Sequence, residues 1–227
     1  MLLSLLIQLL LVLPLTGDRA SSFPDAMARN YVEAHRSEWK AVWDRYDVPA
    51  DIAEAVVFPE VVRYSFLKDK VEKVAVEALY IKGGTAEADY SIGRFQMKPS
   101  FAETLEKIWN KSPYRSAYNL SFDTSDSEKS RSERIARLEN DHWQCIYLAV
   151  FLKMIYLDYG SFDKYGNRVR EGLDALSRRD QVKLCATAYN RGVRWCSPGT
   201  GDLDLLRRRL CPYSEAAFSY WRSLYAR

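Results

Sequence analysis

The segment CIYLAVFLKMIYL, Cys145–Leu157, is apolar on almost every side of a helix. A helix without a polar face has to be covered all round. It must therefore form the centre on which the other elements pack. It is the second half of a helix predicted over Ser132–Tyr159, whose first half is charged, and Gly160 stops it.

The flanking sequence supplies amphipathic helices to cover that centre. One is predicted over Ala28–Tyr46, with Tyr31, Val32, Trp39, Val42 and Trp43 on one side. Val48-Pro49 breaks it. The next carries Ile52, Ala55 and Val56 and meets Pro59, which kinks or ends it and leaves Glu60 at a helix end facing a cleft. LKDKVEKVAVEALYIKGG, Leu67–Gly84, reads as an amphipathic helix with Val71, Val74, Ala75, Ala78 and Leu79 on its apolar side. Pro99-Ser100 opens another, with Phe101, Leu105, Ile108 and Trp109. Ser112–Lys129 reads as a long surface loop and Phe162–Asn167 as a turn-rich segment. Ser177 caps a helix that delivers Ala188-Tyr189-Asn190 and ends at Gly192. Pro212–Arg227 closes the chain as an amphipathic helix through Ala217, Phe218, Trp221 and Leu224. Strand signals are almost absent. The class is mainly α, with at most a short β-hairpin around Tyr90–Phe95.

With 227 residues, 48% of them hydrophobic, the chain is long and apolar enough for one domain plus a leader. The first fifteen residues, MLLSLLIQLLLVLPL, read as a secretory signal ending near residue 20, with an uncleaved anchor as the lesser alternative, and the domain covers residues 24–227. The expected location is the periplasm or cell envelope. Export permits disulfides. Of Cys145, Cys185, Cys196 and Cys211, the pair in the irregular C-terminal part, Cys196 and Cys211, is the expected bridge, whereas Cys145 reads as a free buried thiol. His35 and His142 stand far apart and there is no C-x-x-C, so no metal and no cofactor is expected. A net charge of +3 is too mild to argue for nucleic acid. Fifteen Tyr and six Trp serve either a core or a saccharide cleft, and composition does not choose.

Three stretches carry chemistry. Glu60, in VVFPEVVRYS, lies between Phe58 and Val61, and an apolar flank disfavours the charged carboxylate. Glu54 and Glu72 read as solvated. The stretch ADYSIGRFQMKPSF, Ala88–Phe101, places Ser91, Gly93, Gln96 and Met97 in a loop, with Gly93 letting backbone approach a ligand closely. ATAYNRG, Ala186–Gly192, places Tyr189 and Asn190 at the end of an apolar run. For these two the plain readings are a core aromatic and a helix C-cap.

A Glu in an apolar setting, then S-x-x-G-x-x-Q-x-x-P, then A-Y-N-x-G, in that order, resembles the soluble-type lytic transglycosylases and their relatives, the goose-type lysozymes. The resemblance spans about Asp51 to Arg227 and implies a lysozyme-like helical domain that cleaves peptidoglycan. It implies Glu60 as the sole catalytic acid and base. Ser91, Gly93, Gln96 and Met97 would line the groove, Tyr189 would sit near Glu60 and the substrate's N-acetyl group, and Asn190 would hold that segment. It further implies attack by the N-acetyl group, closure of a 1,6-anhydro ring by the sugar's 6-hydroxyl, a monomer, glycan strands as partner and association with cell-envelope machinery. Two departures stand out. Val61 follows the Glu where the family has Ser, and Gly93 lies 33 positions after Glu60, with the helix over about residues 67–84 inserted between. The alternatives are a hydrolase on the same fold, using Asp89 to activate water, and a non-catalytic glycan-binding envelope protein.

Overall fold

Two helices are buried on every side. The computed structural model describes residues 23–64 and 71–225, in the order α1 (Phe23–Arg45), α2 (Ala50–Tyr64), α3 (Val71–Gly83), α4 (Pro99–Lys111), α5 (Tyr114–Ala117), α6 (Glu128–Glu139), α7 (Asp141–Asp158), α8 (Arg178–Arg191), α9 (Leu203–Arg207) and α10 (Pro212–Tyr225). In α7 every residue from Gln144 to Leu152 is buried. In α2 the same holds from Ile52 to Val61. α1 and α4 pack on α7, while α2, α8 and α10 pack on one another as a three-helix group. The chain is mainly helical, and no strand occurs among the described residues. The expected hairpin reduces to a single antiparallel bridge between Ile92 and Met97.

Several sequence expectations need correction. The long helix over Ser132–Tyr159 is two helices, divided at Asn140, whose Oδ1 accepts the Trp143 N–H at 3.1 Å and caps α7. Pro59 does not end its helix, which runs on to Tyr64. Proline has no N–H to return to the Ala55 carbonyl and crowds that turn. One residue on, the Tyr213 hydroxyl of α10 donates to the Val56 carbonyl at 2.7 Å. The long loop before α6 contains α5 and a buried Phe122 stacked on Tyr147. In α3, Ala78 and Leu79 face solvent and Tyr80 is buried instead. The side chains of Val71, Glu72, Val74 and Ala75 lie outside the described set, as does the expected leader. Glu54 is not solvated. It is 2% exposed, held by Arg36 at 2.8 and 3.1 Å and by the Tyr220 hydroxyl at 2.7 Å. The Cys196–Cys211 bridge does not form, and all four thiols are free. Cys196 is anchored through its N–H to Asp158 at 2.9 Å, whereas Cys211 starts α10 with Sγ 3.8 Å from Asn190 Oδ1. Much of the aromatic content is core, since Trp39, Trp43, Trp109, Tyr80, Tyr147 and Tyr220 are all essentially fully buried.

A buried ionic cluster joins the second half of the bundle. Glu106 of α4 is fully buried and accepts from Arg134 at 2.7 and 2.8 Å and from Arg137 at 3.0 Å, both on α6. Arg134 also donates to the Tyr80 hydroxyl at 2.6 Å, and Arg137 to that of Tyr147 at 2.9 Å, so that α3 and α7 join the same network. Breaking such a pair strands a buried charge, which costs far more than the pair's net contribution. Glu106→Ala should therefore lower stability by about 3–5 kcal/mol, read as a fall in the urea midpoint with an unchanged slope.

Candidate functional site

The turn from Ile92 to Met97 is built to dock on helices. Ile92 and Met97 exchange backbone hydrogen bonds of 2.8 and 3.1 Å, with Gly93 at φ +71° and Gln96 at φ +52° closing the reversal between them. Gln144 of α7, fully buried, accepts the Phe95 N–H at 2.7 Å and donates to the carbonyls of Ile92 and Leu138. A Cβ on Gly93 would sit 1.4 Å from Gln144 Nε2 and 2.5 Å from the Leu138 oxygen. The close approach that requires glycine is thus to the protein's own α6–α7 junction, not to a ligand. Gln96 is half-buried and donates its amide to the Gly93 carbonyl at 2.8 Å. Met97 is 2% exposed and belongs to the core, so its expected place in the groove is corrected. Ser91 is exposed beside the turn.

The other face of the turn meets α8. The Tyr189 hydroxyl donates to the Phe95 carbonyl at 2.7 Å, and its ring packs edge-on against Phe101 and Phe151. The Phe95 peptide is therefore gripped on both sides, by α7 through its neighbour Gln144 and by α8 through Tyr189. Asn190 is exposed, and Gly192 rather than Asn190 is the C-cap of α8. Arg94 reaches outward and lies between the rings of Tyr31 in α1 and Tyr64 in α2, 4.1 and 4.4 Å from their centroids. This fastens the turn to the end of the helix that carries Glu60.

Glu60 lies in the joint between α2, α8 and α10. Its side chain is 9% exposed and makes an ion pair with Arg63, one turn on, at 3.1 Å. Burial pushes the carboxyl above its ordinary value, while Arg63 and the Tyr213 hydroxyl pull the other way without cancelling the shift. Burial also raises the phenols of Tyr189 and Tyr213 well above the usual tyrosine value, and the Glu60 charge adds to both shifts. The structure thus brings Glu60, the Gly93–Gln96 turn and Tyr189 to one place. Arg63 and Tyr213 were missed from sequence. Arg63 was legible as the i+3 neighbour of Glu60, whereas no local signal pairs Tyr213 with a residue more than 150 positions earlier.

Asp89 is committed elsewhere. Its carboxylate accepts the Ser100 N–H at 2.9 Å and the Ser100 hydroxyl at 2.8 Å, filling the cap role at α4 that Lys98 leaves open. A cavity of about 450 Å³, lined in part by Asp47, Lys153, Tyr156, Asp174 and Arg178, opens at the other end of the α2–α8 pair. There Arg178 meets Asp51 at 3.3 Å. Glu60 lies nine residues further along α2, about 14 Å at the helical rise, so this cavity is separate from the buried acid. Asp174 in its wall is bonded to the Ser161 N–H and hydroxyl. Among the described residues no group of His, Cys, Asp and Glu could hold a metal ion, and no helix is long and apolar enough to cross a membrane. No family model, curated protein or solved structure matches this chain.

A carboxyl whose folded pKa is raised binds its proton more tightly in the folded than in the unfolded state. Its contribution to stability is complete below about pH 4.3, the unfolded glutamate value, and is lost as pH rises through the folded value. Glu60→Gln removes that loss. The variant should melt above the wild type at pH 7, with the gap closing below pH 4. A pH-independent gap, or a variant less stable at neutral pH, would contradict the burial argument.

Proposed function

We propose that this protein is a peptidoglycan lytic transglycosylase with a lysozyme-like helical domain, in which Glu60 is the catalytic acid and then base. The observation that carries the reading is a single buried carboxyl, held toward its protonated state, at the meeting point of the Gly93–Gln96 turn and Tyr189. Departure of a sugar needs a proton at the leaving oxygen, and a carboxyl whose proton burial holds more tightly supplies it. The neutral phenol of Tyr189 lies beside that acid and donates its hydrogen bond to the Phe95 carbonyl, so it holds the turn against Glu60 while the N-acetyl group attacks the anomeric carbon. Glu60, now ionised, takes the proton from the sugar's own 6-hydroxyl as the anhydro ring closes. A tethered hydroxyl has a large effective molarity and needs no second carboxylate.

Asp89 separates this reading from the hydrolase. An inverting hydrolase holds a water-activating carboxylate about 6.5–9.5 Å from the acid. Asp89 spends both oxygens on Ser100 and carries an ion pair to Lys98 at 3.7 Å, so its work is to start α4. The expected setting is the cell envelope, with glycan strands as substrate.

Purified cell-wall sacculi test the proposal. Released fragments should carry 1,6-anhydro ends that borohydride leaves unchanged and that are lighter by one water than hydrolysis products. Glu60→Gln should release nothing while keeping its helical spectrum. Reducible ends that vanish in Asp89→Asn would make the protein a lysozyme. Sacculi that are bound but never cleaved by the wild type would make it a glycan-binding protein.

A further inference from the structure

The Glu60–Arg63 pair is lopsided. The Glu60 side chain is 9% exposed, whereas that of Arg63 is 50% exposed. Arg63 meets both carboxylate oxygens with one nitrogen, Nη1, at 3.1 and 3.4 Å, and rests over the Tyr213 ring with Cζ 5.5 Å from its centroid. Guanidinium carries five N–H donors in a planar fork and binds carboxylates best through two of them. Among the described residues no acceptor takes Nε or Nη2 of Arg63. A half-solvated cation, with donors that no described residue takes, thus stands at the rim of a buried acid and is only loosely engaged by it.

The other groups facing Glu60 offer no substitute. Tyr189 from α8 and Tyr213 from α10 are neutral phenols whose ionisation burial opposes. Among the described residues Arg63, on α2 itself, is the cation that faces the carboxyl. Moving its guanidinium a short way outward would give it a bidentate partner and take the counter-ion from Glu60.

We propose that Arg63 reads the substrate, exchanging the Glu60 carboxylate for a carboxylate carried by the glycan beside the scissile bond. This rests on the glycan-cleaving reading above and names the feature of the glycan that the site selects. Two sources share that chemistry, the free lactyl carboxyl of a peptide-free muramic acid and a carboxyl of a stem peptide. Losing that cation leaves Glu60 buried with no charged partner among the described residues, which favours its protonated form further.

The test uses the inactive Glu60→Gln protein and isothermal titration with three glycans: chitotetraose, which is neutral; a peptide-free tetrasaccharide of alternating N-acetylglucosamine and N-acetylmuramic acid; and the same tetrasaccharide with stem peptides. At least one carboxylated glycan should bind about tenfold more tightly than chitotetraose, the difference expected for one charge-assisted contact. Which one does so identifies the carboxyl. Adding Arg63→Gln should erase the preference while chitotetraose binding stays within about twofold, and adding Arg63→Lys should keep part of it, because the charge remains and the fork does not. Equal binding of all three glycans, or a preference that survives Arg63→Gln, would overturn the inference and leave the cleavage reading standing. Failure of all three to bind, together with sacculi left intact by the wild type, would overturn both.

Discussion

An acidic side chain has been taken out of water in the joint of three helices, and the candidate site depends on that burial. Glu60 sits in a helix with no solvent-facing side from Ile52 to Val61. One cation at the rim is its only charged partner among the described residues. Desolvation penalises the ionised form by more than Arg63 and Tyr213 recover, which keeps a proton available. The joint itself is completed by backbone chemistry. Pro59 removes a donor from the helical ladder, and Tyr213 brings a hydroxyl to the neighbouring Val56 carbonyl, fixing α10 against the turn of α2 that carries Glu60.

The turn beside this joint is positioned by the same economy of polar groups. A buried peptide must have its hydrogen bonds met. Phe95 meets its own by giving its N–H to Gln144 and accepting from Tyr189. Two helices from different parts of the chain are thereby locked to one residue, and Arg94 adds contacts to α1 and α2. Three sequence elements far apart in the chain are in this way held to one geometry.

Much of the fold was legible because it rests on local periodicity. The apolar stretch after Cys145 had to be central, and α7 is. Pro99 and Ser177 marked helix starts, and Gly192 a helix stop, that the structure contains. What failed was information carried by distant partners. Glu54 looked solvated because Arg36 and Tyr220, which neutralise and bond it, are remote in sequence. The glycine at position 93 was legible as a close approach, but its neighbour is Gln144, not a ligand. Asn140 offered a capping signal inside a long periodic run, and the periodicity hid it. The apolar side of α3 was misjudged at Ala78 and Leu79, which face solvent, while Tyr80 is buried toward the polar Glu103–Arg134 network.

The claim at the centre of this account is that the Glu60 carboxyl holds its proton more tightly than an exposed glutamate. The direct measurement is a carbon-13 NMR titration of the side-chain carboxyls, with the Glu60 resonance assigned by its absence in Glu60→Gln. The Glu60 midpoint should lie above those of glutamates in unstructured peptides, about 4.3. A Glu60 midpoint at or below theirs would mean that Arg63 outweighs burial, and the residue would then be a structural ion pair rather than a proton donor.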